Sequence, residues 1–348
     1  MSRVLVVATS RKTRGGITSV VKAHETGEQW KKYHCKWIET HRDGPAWRKI
    51  LYLVIALTEY LCLLPFADIV HIHVGLRVSV TRKLIFAKIA KFFGKKIIIH
   101  FHPATEKHLF DGNFSSEIKT LFNYSDKLLV LSPQWIKWIN MAYPDNSYDM
   151  EVVYNPCTEV RRKDWSLREK YILFAGSIID RKGYKQLLKA FAEIANLYPD
   201  WKIKFAGNGE IENAKKLQKS LNLPKEQVEY LGWISGEEKD RAFQYASIYC
   251  LPSWGEGFPM GVLDAIAYGI PVITTSVGGI TDVIHDGVEG LICETYNLDS
   301  LVNCLKRLME SEILRKRIVE NADKLKETVF NLRNSCEHIG NIYAELSV

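Results

Sequence analysis

The stretch that most constrains this chain runs from Ile248 to Gly279. Ile248-Tyr249-Cys250-Leu251 is a short, continuous apolar run rich in β-formers, closed by Pro252. Such a run suits a strand buried on both faces of a parallel sheet. The glycine turn Trp254-Gly255-Glu256-Gly257-Phe258 follows, then an apolar segment from Pro259 to Tyr268. Pro259 is suited to a first helical turn, where its missing N–H costs nothing. Gly269 and Pro271 stop that helix. Ile270 to Thr274 reads as the next strand, and Gly278-Gly279 leads into an expected helix at Ile280. A strand–turn–helix–strand unit closes as parallel strands joined by a crossover helix. Its turns bring helix N-termini and bare amides to the carboxyl edge of the sheet, where phosphates bind.

The same rhythm fills the chain. Strands are expected over 3–8, 35–40, 68–74, 96–101, 127–131 and 151–154, with helices between them. The loop after the third ends in Gly75-Leu76-Arg77, and 103–112 reads as a polar loop carrying Glu106 and Lys107. Asn155-Pro156-Cys157 breaks the pattern, and a charged stretch with no apolar periodicity follows. The alternation restarts with strands over 171–175, 201–206 and 228–231 before the Ile248 run. Helices close the chain over 299–309, 313–328 and 331–346. The fold class is therefore α/β, with two Rossmann-like, doubly wound parallel-sheet domains. The first domain is expected over 1–157, a linker over 158–170, the second domain over 171–329 and a terminal helix over 330–348.

With 348 residues the chain is long enough for two such domains. Its charge is uneven: residues 1–150 hold 22 Lys+Arg against 12 Asp+Glu, a balance of +10, and the remainder 25 against 28, a balance of −3. A basic first half points to an acidic partner, a phospholipid surface or a pyrophosphate-bearing acceptor, rather than to nucleic acid, for which no module is present. The seven cysteines are scattered, without Cys-x-x-Cys, as in a reduced, cytoplasmic protein. No signal-peptide pattern opens the sequence. The longest apolar run, Ile50 to Ala67, is broken by Thr58, Glu59 and Pro65; it reads as a buried or interfacial helix, not a membrane span.

Several residues carry candidate chemistry. Glu256 and Asp264 stand eight apart, and each can accept hydrogen bonds from sugar or ribose hydroxyls. A Glu favoured by a helix N-terminus and a surface Asp would read the same way. Gly15-Gly16 forms a strand-to-helix turn open to a ligand, but no GxGxxG accompanies it, so a dinucleotide site is not supported. Arg181-Lys182 precedes Gly183 at a helix start, where cations oppose the helix dipole and suggest an anionic ligand. His71, His73, His100 and His102 form two His-x-His pairs, each on one strand face. No acidic or cysteine cluster joins them and no Asp-x-Asp occurs, so no metal is expected.

The run from Trp254 to Asp264 resembles the Glu-Gly-Phe-Gly, four residues, Glu signature of retaining, nucleotide-sugar glycosyltransferases of the family-4 type. It departs at Pro259, in place of the second Gly, and at Asp264, in place of the second Glu. The stretch after Gly176 resembles that family's Gly-Arg…Lys-Gly loop. Lys182 matches its Lys, Ser177 stands where its Arg would be, and Arg181 is the candidate replacement. The resemblance is strongest from Tyr171 to Asp286. It implies the GT-B architecture, two domains facing across a cleft, and transfer of a sugar from a UDP-sugar with retention. The acceptor would be a saccharide or lipid-linked saccharide in cell-surface polysaccharide synthesis. His102, Glu256 and Lys182 would be catalytic. Gly15, Gly16, Arg181, Lys182, Asn208, Trp233, Ile234, Glu256, Gly257, Phe258, Pro259, Met260, Gly261 and Asp264 would bind the donor. No cofactor or metal is implied, and the protein would be cytoplasmic or peripheral at the inner membrane face. A sugar-nucleotide epimerase or hydrolase of the same fold, and a non-catalytic nucleotide-sugar-binding subunit, are the alternatives.

Overall fold

The structure, a computed structural model, describes residues 2–75 and 77–347; Leu76, in the loop expected after the third strand, lies outside them. The chain divides into two compact units, Met1–Pro156 with Val329–Val348, and Cys157–Thr328.

The first unit holds strands β1 (Val4–Ala8), β2 (Lys36–Glu39), β3 (Ile69–Val74), β4 (Lys96–Phe101), β5 (Lys127–Val130) and β6 (Met150–Val152), in the order β2-β1-β3-β4-β5-β6. The second holds β7 (Glu169–Ala175), β8 (Lys202–Ala206), β9 (Val228–Gly232), β10 (Ala246–Leu251), β11 (Val272–Thr275) and β12 (Leu291–Cys293), in the order β12-β11-β10-β7-β8-β9. Every pairing in both sheets is parallel. Each sheet is doubly wound: its order reverses at the first strand of its unit, so that β1 and β7 sit inside their sheets. The architecture is the α/β one expected, and its strands were legible because parallel strands buried on both faces are continuous apolar runs.

Some elements differ from the sequence reading. The helix expected at Ile280 is a single 3-10 turn, Ile280–Asp282. Asp282 and His285-Asp286-Gly287 place polar residues and a glycine where a helix would need an apolar stripe. The edge strand β12 is only three residues long, too short for its period to show. The 103–112 loop contains a short helix, Lys107–Phe110. The stretch 158–170 is not a free linker. Arg162 bonds Asp323 and the carbonyls of Ile266 and Ala267, Arg168 bonds four carbonyls including Tyr268, and Glu169-Lys170 already belong to β7. Polar side chains hold this segment, so apolar periodicity could not reveal its attachment.

The apolar run forms helix Ala46–Leu63 and runs on through the 3-10 turn Leu64–Phe66, which takes up Pro65 at its start. Only Ala56 and Tyr60 of the α-helical part are buried, with the Tyr60 hydroxyl donating to the Phe86 carbonyl at 3.0 Å. Trp47, Ile50, Val54 and Ile55 are each more than half exposed. Among the described residues this is the one helix long and apolar enough, by length and composition, to cross a bilayer. Its outer face is not buried in the protein, which removes the buried-helix reading.

The first unit's core contains a column of histidine rings. His71 and His73 stack at 4.5 Å, His73 and His100 lie 4.8 Å apart, and His100 and His102 stack at 4.2 Å. The helix Leu332–Leu346 ties into this column. Tyr343 Oη is 2.7 Å from His71 Nδ1, and Ser335 Oγ is 3.1 Å from His24 Nε2. Burial lowers the pKa of His24 to about 4 and of His102 to about 3, and pushes His71, His73 and His100 well below the usual value.

In the second unit one close approach fixes helix against strand. A Cβ on Gly261 would meet the Tyr249 hydroxyl at 2.1 Å and the Ala175 carbonyl at 3.0 Å. That hydroxyl donates to the same carbonyl at 3.0 Å. The bare Gly261 is thus required by packing inside the unit.

Two outcomes follow. The buried histidines stay neutral in the fold, whereas the unfolded chain takes up protons below about 6.5. Their stabilisation is therefore present at neutral pH and lost as pH falls through the window toward 4 for His24 and 3 for His102. Each buried histidine removes about 1.4 kcal/mol per pH unit inside its window. Urea midpoints measured at about pH 7 and pH 5 should drop clearly, and equal midpoints would contradict a neutral histidine core. Gly261→Ala should destabilise by about 1–3 kcal/mol through overpacking. Adding Tyr249→Phe should restore part of that loss, and an additive double variant would show that the hydroxyl is not what the Cβ meets.

Candidate functional site

In the second unit β7 and β10 are hydrogen-bonded neighbours, so the loops that leave their carboxyl ends lie side by side. The β7 loop closes with the 3-10 turn Asp180–Lys182 and opens into helix Tyr184–Ile194. The β10 loop carries Trp254 to Phe258 and opens into helix Met260–Ala267, with Pro259 at its N-cap. The loops are stitched together by the Trp254 amide donating to the Arg181 carbonyl at 2.9 Å. Lys182 Nζ lies 2.6 Å from Glu256 Oε1. Arg181 Nη1 donates to the Gly255 carbonyl and lies 3.4 Å from the same Glu256 oxygen.

Glu256 is buried, with 6% of its surface exposed, and two cations face its one oxygen. The cluster keeps a net positive charge and spare donors, since an ammonium has three N–H groups and a guanidinium five. It can receive an anion while the carboxylate stays compensated. The Glu256 side chain also keeps a second oxygen for hydroxyl hydrogens. Ser177 is exposed in the same loop, and Arg181 is the arginine brought to the carboxylate.

Asp264 is held differently. Its Oδ2 lies 2.8 Å from Lys239 Nζ, and its Oδ1 accepts from the Thr158 hydroxyl at 3.3 Å. Lys239 comes from helix Glu237–Gln244. Nothing in the charged run Glu237-Glu238-Lys239-Asp240-Arg241 singles it out in the sequence. Phe258 is buried, the Gly257 carbonyl accepts from the Gly279 amide at 3.0 Å, and Met260 begins the helix. In the first turn of that helix the Val262 and Leu263 amides donate to the Pro259 carbonyl at 3.1 and 3.4 Å, and the Met260 and Gly261 amides precede any intrahelical acceptor. Gly261 lies in the same turn, and its contact with Tyr249 accounts for its being glycine. Asn208 is exposed on the turn after β8, with its carbonyl accepting from the Ile178 amide at 2.8 Å. Trp233 is 41% exposed after β9. Ile234 lines a separate cavity of about 390 Å³ with Tyr171, Leu231, Arg241 and Tyr245, none of them in the Glu256 cluster.

The remaining expected residues belong to the first unit. Gly15 caps helix Gly16–Glu25 with φ +146°, and no atom lies within 4 Å of where its Cβ would stand. The backbone there is open on the ligand side, as a close approach requires. His102 follows β4, its amide donating to the Val74 carbonyl at 2.6 Å. Its Nε2 is 3.0 Å from His73 Nδ1. Both rings stay neutral because burial depresses both, so one nitrogen donates and the other accepts. His71, His73 and His100 bring ring nitrogens within 4.8 Å of one another. Their rings are inclined by 23° for His71 and His73, 33° for His73 and His100 and 10° for His71 and His100, and His71 Nδ1 is already 2.7 Å from the Tyr343 hydroxyl.

Comparison with known proteins places this geometry. Residues 158–325 match the family described as Glycosyl transferases group 1. An uncharacterized glycosyltransferase of Haemophilus influenzae is 32% identical over 237 residues, covering 65% of this chain and 65% of its own length. The chain thus aligns with just under two thirds of that relative. Among solved structures, sucrose-phosphate synthase from Thermosynechococcus elongatus superposes with a TM-score of 0.82 at 16% identity, over 99% of each chain. HepE of Anabaena, solved with UDP and glucose, superposes with a TM-score of 0.77 at 14% identity, over 99% of this chain and 100% of that one. The fold is therefore GT-B, and residues 158–325, which carry the Arg181–Lys182–Glu256 cluster, are a glycosyl transferases group 1 domain.

Proposed function

We propose that the protein is a glycosyltransferase that moves a hexosyl or N-acetylhexosaminyl group from a UDP-sugar to a saccharide or lipid-linked saccharide acceptor, with retention, in cell-surface polysaccharide synthesis. The observation that carries this reading is the buried Glu256 compensated by Lys182 and Arg181 at adjoining strand ends. UDP is supported by HepE, which was solved with UDP and glucose and shares the fold.

The difficult part of such a transfer is charge: a diphosphate departs while the sugar becomes oxocarbenium-like. Lys182 and Arg181 meet the leaving diphosphate with charge-assisted hydrogen bonds, which strengthen as its negative charge develops. The first-turn amides of helix Met260–Ala267 add a partial positive end. Glu256, relieved of part of its cation pairing by the incoming phosphates, accepts hydrogen bonds from sugar hydroxyls and orients the ring. Asp264, already holding Lys239, accepts from the ribose. The leaving phosphate takes the acceptor hydroxyl's proton. Two fixed cations supply the charge that a divalent metal would otherwise bring, so the reaction runs without one.

Helix Ala46–Phe66 is proposed as the membrane-facing element of a protein peripheral to the inner membrane face. Its exposed Trp47, Ile50 and Val54 suit the headgroup–acyl boundary, and the exposed Arg48 and Lys49 at its start suit anionic headgroups.

UDP should raise the melting temperature of the intact protein, as a ligand bound only to the fold must, and GDP should raise it less. No stabilisation by UDP would refute the donor reading. Lys182→Ala should lower kcat by about 10²-fold with a smaller change in KM, because its contact strengthens in the transition state. Activity after chelation should match that with added magnesium, and restoration of lost activity by the metal would refute the charge argument. Flotation with anionic liposomes should weaken for the Ile50→Glu, Val54→Glu variant, and equal flotation would remove the helix from the membrane contact.

A further inference from the structure

The first unit carries buried basic groups that no acidic side chain pairs with among the described residues. Lys83 is wholly buried, and its ammonium donates to the Thr40 hydroxyl at 2.6 Å. That hydroxyl in turn donates to the Ala8 carbonyl at 2.9 Å. No carboxylate pairs with Lys83 among the described residues. Beside it, Arg82 makes no hydrogen bond or ion pair among the described residues, and its Nε is buried without a partner. His41, next to Thr40, lies close enough to feel both cations. Burial pulls Lys83 well below the usual lysine value, and the neighbouring Arg82 charge adds to that; Arg82 is lowered by burial as well.

These groups meet at the carboxyl edge of the sheet. Thr40 and His41 follow β2, and loop 10–14 after β1 is sewn to them. The Ser10 amide and the Thr13 hydroxyl donate to the His41 carbonyl at 2.8 and 3.0 Å. The nearby carboxylates are engaged elsewhere: Glu39 pairs with Arg11 at 3.0 Å, and Asp43 accepts from the Arg14 amide at 3.2 Å and lies 3.7 Å from His41 Nε2. Asp43 is more than half exposed, and among the described residues no carboxylate pairs with Lys83 or Arg82. An uncompensated buried cation is costly, and an arriving anion would offset that cost. Arg82 and His41 are part-exposed and Lys83 is buried, so an anion arriving from solvent meets Arg82 and His41 first. The exposed apolar helix Ala46–Leu63 begins five residues beyond His41, and Arg42 donates to its Tyr52 hydroxyl.

We propose that Arg82 and Lys83, with His41, form a phosphate-binding site of the first unit that receives the phosphate or diphosphate headgroup of an amphiphilic acceptor. Arg82 grips two phosphate oxygens with its planar fork. Lys83 lends a point charge behind it, and the acceptor's apolar part follows helix Ala46–Leu63. The acceptor assignment rests on the transfer reaction proposed above; the phosphate site does not.

The test is calorimetric titration of the intact protein saturated with UDP, with inorganic phosphate in one arm and dihexanoyl phosphatidic acid in the other. Wild type should bind both, the amphiphile more tightly. Arg82→Gln should weaken both by about tenfold or more, the loss of a charge-assisted hydrogen bond, and Lys83→Met should weaken both by less, the loss of a charge behind it. Arg82→Lys should weaken them less than Arg82→Gln. Absence of phosphate binding, or unchanged binding in Arg82→Gln, would overturn the site. Phosphatidic acid binding no tighter than inorganic phosphate would overturn the acceptor assignment. If Lys83→Met does not fold, Arg82→Gln, on a part-exposed side chain, carries the test. Failure of the donor reading would appear separately, as wild type that does not bind UDP.

Discussion

A parallel strand cannot hand its chain directly to its neighbour; the chain must first cross back, in most connections over a helix. Both sheets obey this, with only a 3-10 turn between β11 and β12, so the loops that leave the strand ends of a unit gather at one edge. The structure depends on that constraint. It brings the loop after β7 beside the loop after β10, although Arg181 and Gly255 are 74 residues apart in the chain. It likewise sets Thr40 after β2 beside the loop after β1. Neither cluster of charge needs a long-range designed contact, because the ladder pairing of the strands has already placed the loops.

At the second unit's edge, electrostatics decides what the loops do. A carboxylate as buried as Glu256 would be costly alone. Two cations on one of its oxygens make it tolerable and leave the group net positive. The same compensation makes the cations exchangeable partners for a phosphate, since each has donors left over. In the first unit the histidine column shows the opposite solution. Burial keeps its rings neutral and lets them stack, and the helix Leu332–Leu346 completes it by bonding His71 and His24 through Tyr343 and Ser335.

Legibility followed the physics of burial. The strands, and the helices that cross between them, were readable because an apolar run bounded by glycine or proline has few alternatives in a sheet buried on both faces. Residues 158–170 read as a linker because arginine side chains hold them, and polar attachments leave no period. The expected helix at Ile280 shortened to one turn, and β12 was too brief to register. Lys239, the partner of Asp264, and the pairing of Tyr249 with Gly261 depend on which elements neighbour each other in space. Gly261 drew attention as a ligand-side glycine, yet packing alone explains its missing side chain.

What the sequence determined by itself is the α/β rhythm, the glycine turns at strand ends, the excess of positive charge in the first half and the presence of Glu256, Arg181 and Lys182. These follow from local rules, because period, turn chemistry and composition are properties of neighbouring residues. What only the tertiary structure decided is pairing: that Arg181, not Ser177, reaches Glu256, that Lys239 rather than a free surface holds Asp264, and that Lys83 is buried without a counter-charge. An ion pair or a missing one depends on distances between residues far apart in the chain, and those distances exist only once the strand order is set.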